Sequence, residues 1–525
     1  MKIIKFAENT KEMRFPIGVQ DFESLRNDHY EYVDKTEWVY ELTHSGRYFF
    51  LSRPRRFGKS LLVSTLEAYF EGKRHLFQGL AIADKEKQWL TYPVLRLDLS
   101  GKSYDREDIL DKVFDDILSV WEDKYGSVNR SDVPGIRFGN AIEAAYRKTG
   151  RPAVVLIDEY DKPIVDNLDN PELCDVFRRR LQGFYSVLKA KDAFLRFGFL
   201  TGVTKMGKVS VFSSLNNLND ISMDSKFIEI CGITDAELHA QFDDAVLEMA
   251  RFNQMDKATC YARLKEQYDG YHFRPGAPGL YNPFSLLKAL YSKDFQDYWF
   301  ETGTPAFLMQ ALRDAELNIL DADTIDVQPE MLTGVNASDR NPIPLLYQSG
   351  YLTIKGFDPE FNLYQLGFPN REVERGFLNG LIPYFTSLKE VEGPYQISQL
   401  TKEARSGHAK QMMERLTSLF ADTSYQIQGD SEKDFQYALH LIFKLMGLYT
   451  QVEYATSDGR IDIVMQTADY IYLIEVKMNG TPEEALDQIE RKGYAHPFAA
   501  DRRRLFRIGI NFSSRSRKID GWKIA

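Results

Sequence analysis

Between residues 47 and 232 short apolar runs alternate with longer stretches of helical period. The runs are Tyr48–Leu51, Val94–Leu99, Ala153–Ile157, Phe197–Leu200 and Phe227–Ile230. The helical stretches include Asp108–Trp121, Phe138–Lys148 and Glu172–Ala190. A continuous apolar run marks a strand buried on both faces, and strands separated by helices predict a parallel sheet covered on each side. Ligands of such sheets bind at the carboxyl ends of the strands.

Beyond residue 233 the pattern changes. Thr234-Asp-Ala-Glu237 is a capping box that opens a helical region, read as a lid, running through Asp297-Tyr-Trp-Phe300. Residues 344–351 predict a short helix ending near Gly350. Tyr351–Ile354 and Phe361–Leu366, around a turn at Asp358, predict a hairpin. Helix followed by hairpin is a winged-helix pattern, and its sparse positive charge favours a packing role over nucleic-acid contact. Helical segments continue to residue 430. The last domain reads as a helix at Glu432–Leu448, three strand-like runs, a helix at Pro482–Tyr494 and a strand at Leu505–Asn511.

A chain of 525 residues is too long for one core, and roughly three or four domains are expected. Its net charge of −10 excludes a global basic field, so any nucleic-acid contact must be a local patch. Cys174, Cys231 and Cys260 have no metal-ligand spacing and point to a reducing compartment. The segment Met1–Asn9 is too short and polar for a signal peptide, and no run of about 18 apolar residues offers a membrane span. A cytoplasmic protein without a membrane partner is expected, with a homo-oligomer left open.

The first chemistry lies in Leu51-Ser-Arg-Pro-Arg-Arg-Phe-Gly-Lys-Ser-Leu-Leu62, between the first apolar run and an amphipathic segment reaching Phe70. Strand, loop and helix N-terminus make a phosphate-binding loop, because backbone N–H groups and the helix dipole favour an anion there. The candidate nucleotide contacts are Arg53, Pro54, Arg55, Arg56, Phe57, Gly58, Lys59, Ser60 and Leu61. Lys59 would reach the β- and γ-phosphates and Ser60 would ligate Mg²⁺. Arg53 stands where the general pattern has glycine, and a chance Gly-Lys-Ser is the competing reading.

The run Ala153–Ile157 ends in Asp158 and Glu159. Carboxylates beside a buried apolar strand need a cation; Asp158 would hold Mg²⁺ and Glu159 would activate the attacking water. Two exposed acids at a strand end are the bland alternative. Asp161 is a further acid or only a loop residue. Thr201 or Thr204, at the end of the next strand, would sense the γ-phosphate, and the sequence does not choose. Arg53, Arg55 and Arg56 would stabilise transition-state charge or form a solvated loop. Asp34, Lys35 and Thr36 are base contacts or a plain helix cap. Arg178-Arg-Arg180 reads as a charged helix face.

A second site lies near the C-terminus. Gly459-Arg-Ile-Asp462 precedes Tyr470-Ile-Tyr-Leu-Ile-Glu475-Val-Lys477. The period of two along a strand puts Glu475 and Lys477 on one face. Carboxylates at Asp462 and Glu475 suit Mg²⁺ or Mn²⁺, with Lys477 positioning a water at a phosphodiester. An ordinary surface Glu–Lys pair is the alternative. Arg502, Arg503, Arg504, Arg507, Arg515, Arg517 and Lys518 form a local basic cluster fit for a phosphate backbone, DNA ahead of RNA, or a solubilising surface.

Residues 15–310 resemble bacterial AAA-ATPase-like proteins that carry a C-terminal PD-(D/E)XK nuclease-superfamily domain. The matching stretches are Phe15–Gly18, Tyr32–Thr36, Arg53–Ser60, Asp158–Asp161, Thr201–Val203, Leu215–Asp220, Tyr281–Pro283 and Tyr298–Pro305. The phosphate loop of that family commonly reads R-P-R-R-F-G-K-S, so Arg53 matches the family. The resemblance implies ATP binding and hydrolysis. At the C-terminal site it implies Asp462, Glu475 and Lys477 as the core triad, with Glu432 as a further acid and Gln488 on the following helix. The expected fold class is α/β: a P-loop parallel sheet with helical lid and winged-helix-like module, then a small α/β PD-(D/E)XK nuclease-like domain. The expected boundaries are 1–232 for the ATPase core with its N-terminal extension, 233–330 for the lid, 331–380 for the module, 381–430 for a helical linker and 431–525 for the nuclease-like domain. An ATPase coupled to a metal-dependent nuclease is one functional expectation. A nucleotide-controlled switch whose last domain binds nucleic acid or protein without cleavage is the other.

Overall fold

The computed structural model describes residues 13–127, 131–205, 217–302, 325–332, 341–385, 392–421, 431–447, 451–457 and 460–525. These form two compact units, one ending at Glu372 and one running from Val373 onward. The described residues of the expected lid share a unit with the sheet, the expected module at 331–380 is divided between the two units after Glu372, and the described residues of the expected helical linker share a unit with the last domain. No helix among the described residues is long and apolar enough to cross a membrane.

The first unit is built on a five-stranded parallel sheet. Its strands are β1 (Tyr48–Ser52), β2 (Val94–Asp98), β3 (Ala153–Asp158), β4 (Leu195–Gly202) and β5 (Asn219–Asp220), in the order β2-β3-β4-β1-β5. Every residue of β1 and β3 is buried, because helices cover both faces of a parallel sheet and leave no polar face. Phe49, Phe70 and Phe197 are among the aromatic residues of the core between sheet and helices. The expected strand at Phe227–Ile230 is instead a 3-10 helix, Ile228–Ile230, and the fifth strand is the polar pair Asn219–Asp220. A four-residue apolar run fits either a strand or a buried turn, and here its carbonyls turn inward to serve a buried cation.

Helices Asp235–Gln241, Asp243–Phe252, Lys257–Tyr268 and Pro283–Ser292 form the lid region around a core of their own. The capping box is present: Thr234 and Glu237 each accept from the other's backbone. Two short strands, β6 (Ile233–Thr234) and β7 (Leu280–Tyr281), pair antiparallel at its base. The described part of the module has the helix Ile343–Ser349, β9 (Thr353–Asp358) and β10 (Leu363–Gly367), and its sheet is completed by β8 (Ile325–Val327) from the end of the expected lid, with β10 between β8 and β9. Strand β8 is invisible in the sequence pattern. The end of the lid read at 303–320 lies outside the described residues.

The second unit holds a five-stranded sheet of β11 (Gln451–Ser457), β12 (Arg460–Gln466), β13 (Tyr470–Met478), β14 (Arg504–Ser513) and β15 (Lys518–Ile524), paired in that order. Only β13 and β14 are parallel, and the helix Pro482–Arg491 connects them. Gly509 lets this helix approach: a Cβ there would lie 2.2 Å from the Pro482 carbonyl oxygen. The helix Ala409–Ala421 packs on β15, and Tyr472 Oη donates to Ala404 O at 2.6 Å. Strand β15 was not expected from the sequence.

Candidate functional site

Strand β1 delivers the chain into the loop Arg53–Gly58, and the helix Lys59–Phe70 leaves it. Gly58 caps the helix with φ 88° and has no side chain to accept from the first turn. Thr234, Asp256, Asn282 and Thr481, by contrast, accept first-turn N–H groups at their own helices. The amides after Gly58 are therefore left for an anion. Arg56 also takes a left-handed φ, 65°.

Lys59 is buried. Its Nζ donates to Arg53 O and Pro54 O, 3.1 Å each, and lies 3.9 Å from Glu159 Oε1. Asp158 ends β3 with 1% of its surface exposed. Burial pushes its carboxyl up to about 6, opposed by a hydrogen bond from Ser60 and reinforced by the charge of Glu159. Its Oδ1 is buried without a hydrogen-bond partner. A buried carboxylate oxygen of this kind, beside the Ser60 hydroxyl, fits a divalent cation completed by phosphate oxygens. Among the described residues no three acid, histidine or cysteine side chains form a ready-made metal cage. Mg²⁺ needs none, since one or two carboxylates with substrate phosphates hold it. Glu159 holds φ 55°, a strained conformation typical of functional turns, and its half-buried side chain faces the cleft.

That cleft has an empty volume of about 800 Å³ and runs along the loop between Pro16–Gln20 and Pro283–Leu287. A more apolar pocket of about 590 Å³ adjoins it, lined by Tyr32, Val33, Leu62, Ile233 and Phe242 and sharing Phe57, Gly58 and Leu61. The Pro16–Gln20 wall has no chemical motif of its own and is marked in the sequence only by Phe15–Gly18, one of the stretches that resemble the family. The N-cap of the helix Thr36–Ser45 is Lys35, without a side-chain cap bond, while Asp34 Oδ1 accepts from Thr36 N at 2.9 Å and Asp34 Oδ2 and Thr36 Oγ1 accept from Ala81 N and Ile82 N. Lys35 pairs with Glu237 at 2.6 Å on the edge of the apolar pocket.

Three expectations at this site need correction. The Arg53 guanidinium does not face the loop. It is buried, donates to Ser52 O, Ser222 O and Ile228 O at 2.8–3.2 Å, and stacks 4.0 Å from the Phe273 ring. Burial lowers it to about 10. Arg56 lines the cleft while donating to Tyr298 O at 2.9 Å and stacking on Phe284, and Arg55 is the exposed member of the three. Neither threonine offers its proton to a γ-phosphate: Thr201 Oγ1 donates to Leu51 O at 2.9 Å, and Thr204 Oγ1 to Asp161 Oδ2 at 2.6 Å. Asp161 is thus a fully buried latch, also accepting from Val203 N and Thr204 N.

At the second site, the antiparallel register sets Asp462 opposite Glu475. Glu475 is wholly buried and Val476 faces the other way into the core. Lys477 Nζ donates to Glu475 Oε1 at 3.2 Å and to Gln488 Oε1. The helix Pro482–Arg491, fixed by the Thr481 capping box, carries Gln488 to that contact. A buried carboxylate next to an ammonium, with a second acid in register on the adjacent strand, is a donor set that fits a hard divalent cation. Glu432 lies in the helix Ser431–Gly447; its side chain and that of Asp462 are outside the described residues.

The basic cluster is split along β14. Arg502–Arg504 and Arg507 lie toward its start, where Arg503 pairs with Asp501 at 2.6 Å and Arg507 with Glu490 at 2.9 Å. Arg515, Arg517 and Lys518 stand exposed on the β14–β15 hairpin, at the end that lies beside Lys477. Asn479 Oδ1 accepts from Ser514 N and Oγ at 2.9 Å, and Asn511 Oδ1 accepts from Gly480 N at 2.7 Å, so the hairpin is tied to the segment directly after Lys477.

Comparison with known proteins matches residues 16–212 to the family model described as "Predicted AAA-ATPase" and residues 430–522 to the PD-(D/E)XK nuclease superfamily. An "Uncharacterized protein in vnfD 5'region" from Azotobacter chroococcum mcd 1 is 34% identical, over 97% of this chain and 98% of its own length.

Proposed function

The chain belongs to the family that joins a predicted AAA-ATPase domain to a PD-(D/E)XK nuclease-superfamily domain, and on that premise we propose that it binds and hydrolyses ATP at the first site and cleaves phosphodiesters of nucleic acid at the second. The observation that carries the reading is the convergence of an uncapped helix N-terminus, Lys59, Ser60 and Glu159 on one cleft, with the unpartnered Asp158 Oδ1 buried behind the Ser60 hydroxyl that hydrogen-bonds to Asp158. In this reading the base enters the apolar pocket and the phosphates reach the amides after Gly58. Lys59 exchanges its loop carbonyls for phosphate oxygens, and Ser60 and Asp158 hold Mg²⁺. The ion supplies neutralisation of charge on the phosphate oxygens. Glu159 accepts the proton of the attacking water at its carboxylate.

At the second site Asp462 and Glu475 hold Mg²⁺ or Mn²⁺, which supplies Lewis acidity toward the scissile phosphate. Lys477, anchored by Glu475 and Gln488, orients the water with its remaining N–H. The test is the full-length chain assayed for Mg²⁺-dependent ATP hydrolysis, and for plasmid and single-strand cleavage with Mg²⁺ or Mn²⁺. Absence of both activities in every nucleotide state overturns the proposal.

A pH dependence follows from Asp158. Its carboxyl is held above the ordinary value, so it is protonated below about pH 6 and cannot ligate metal there. Metal-dependent ATP affinity is present above that pH and is lost as pH falls through it. Between pH 7 and pH 5 titration calorimetry should show a loss of about tenfold.

The hairpin gives a second expectation. Replacing Arg515, Arg517 and Lys518 by alanine should flatten the slope of log K against log salt for duplex DNA by about 2.7, at about 0.9 per lost phosphate contact. The same change at Arg502–Arg504 should move it less. Equal slopes for both triple variants in fluorescence anisotropy would remove the hairpin from the interface.

A further inference from the structure

The module's helix Ile343–Ser349 ends directly against the first site. Gln348 is buried. Its Oε1 accepts from Lys205 N at 2.6 Å and its Nε2 donates to Leu332 O at 3.0 Å. Lys205 follows Thr204, and Thr204 is where the Asp161 latch closes: Asp161 Oδ2 accepts from both its N and its Oγ1 at 2.6 Å. Tyr160 adds two further ties, its N donating to Thr201 O at 3.1 Å and its Oη to Thr204 O at 3.0 Å. Glu159 immediately precedes Tyr160, in a strained left-handed conformation that its surroundings must hold. The latch leaves no slack, since a Cβ at Gly202 would meet Asp161 Oδ1 at 2.3 Å.

The next residues of the same module bear on the other side of the loop. Gly350 has φ 91°, and a Cβ there would lie 2.7 Å from Pro54 Cβ. Pro54 O is one of the two carbonyls that hold Lys59. One helix end therefore abuts both the phosphate loop and the support of the catalytic turn.

We propose that Gln348 is a positioning residue of the ATP site: by holding Lys205 N it fixes the Thr204–Asp161 latch beneath Glu159, so that the module's helix sets the rate of turnover. This rests on the hydrolytic reading of the first site. A ligand or partner that shifts this helix changes the rate through the same chain of bonds. Packed, hydrogen-bonded groups with few alternative arrangements are the physical means by which such a shift is carried. The effect falls on kcat, because the chain of bonds ends at Tyr160 and Asp161, directly after Glu159, and not at the amides that bind phosphate.

The test uses the full-length chain with Gln348→Met, which keeps the length and removes the amide, Gln348→Glu, which keeps an acceptor for Lys205 N, and Thr204→Val, which removes the hydroxyl on Asp161. Expected results are a kcat for ATP lower by tenfold or more in Gln348→Met, an ATP dissociation constant within twofold of the unaltered chain, and partial recovery in Gln348→Glu. The double variant Gln348→Met/Thr204→Val should lose no more than the worse single one, since both cut one path. Unchanged kcat, an equal loss of binding, or multiplicative losses in the double variant overturn the inference. If Gln348→Met does not fold, Gln348→Glu against Thr204→Val decides by the same split. A lack of turnover in the unaltered chain overturns the hydrolytic reading and this inference with it, whereas turnover insensitive to these variants overturns the inference alone.

Discussion

Glu159→Gln should lower ATP turnover by about 10²- to 10⁴-fold, the range for loss of a positioned general base, while ATP binding holds or tightens. Glutamine keeps the shape of the side chain and removes only its capacity to take a proton. It also removes a negative charge 3.9 Å from Lys59, which frees the ammonium for phosphate and lessens repulsion of the anionic ligand. Single-turnover hydrolysis and calorimetric binding on the same preparation separate the two effects. Parallel loss of binding and turnover, or unaltered turnover, would assign Glu159 to structure and return the search for the base to Asp161 and its neighbours.

Lys477→Ala should abolish cleavage and also weaken the second unit. The ammonium lies 3.2 Å from a carboxylate with no exposed surface. Breaking one partner of a buried pair costs about 3–5 kcal/mol, because the other charge is left in a medium that solvates it poorly. A divalent ion held by Asp462 and Glu475 would restore the missing positive charge. The variant should therefore melt well below the unaltered chain in EDTA and regain much of that difference with Mg²⁺. Neutralising alanine at Asp462 should remove the Mg²⁺ response. A melting profile blind to Mg²⁺ in both backgrounds would mean that these carboxylates hold no metal.

Much of the first site is legible because strands β1 and β3 have no polar face. Their runs stay apolar until Ser52 and Asp158, so the sequence marks the point at which each strand emerges at the cleft. The Glu475–Lys477 pair is legible for a similar reason, since the period of two along β13 puts both on one face, whereas Gln488, about two turns into a capped helix, is implied only by the family resemblance. What escapes is set by partners distant in sequence. Thr201 and Thr204 read as free hydroxyls, and only packing shows that Leu51 O and Asp161 take their protons. Strand β5 is two polar residues that pair because Phe49 and Phe50 lie alongside. Gln348 lies in an unremarkable amphipathic helix, and its role depends on a loop more than 140 positions earlier.

Arg53 ties its own position to a segment distant in sequence. Four main-chain carbonyls, of Ser52, Ser222, Phe227 and Ile228, have gathered round its guanidinium, with an aromatic ring across its face. A glycine at this position would strand those carbonyls and leave a hole against Phe273. The segment around Ser222–Ile228, for its part, has no reason to turn its carbonyls inward unless an arginine is already there. Neither side can change first without loss. Position 53 and that segment are therefore coupled in energy, and Arg53→Gly alone should destabilise the first unit by leaving buried carbonyls without a donor.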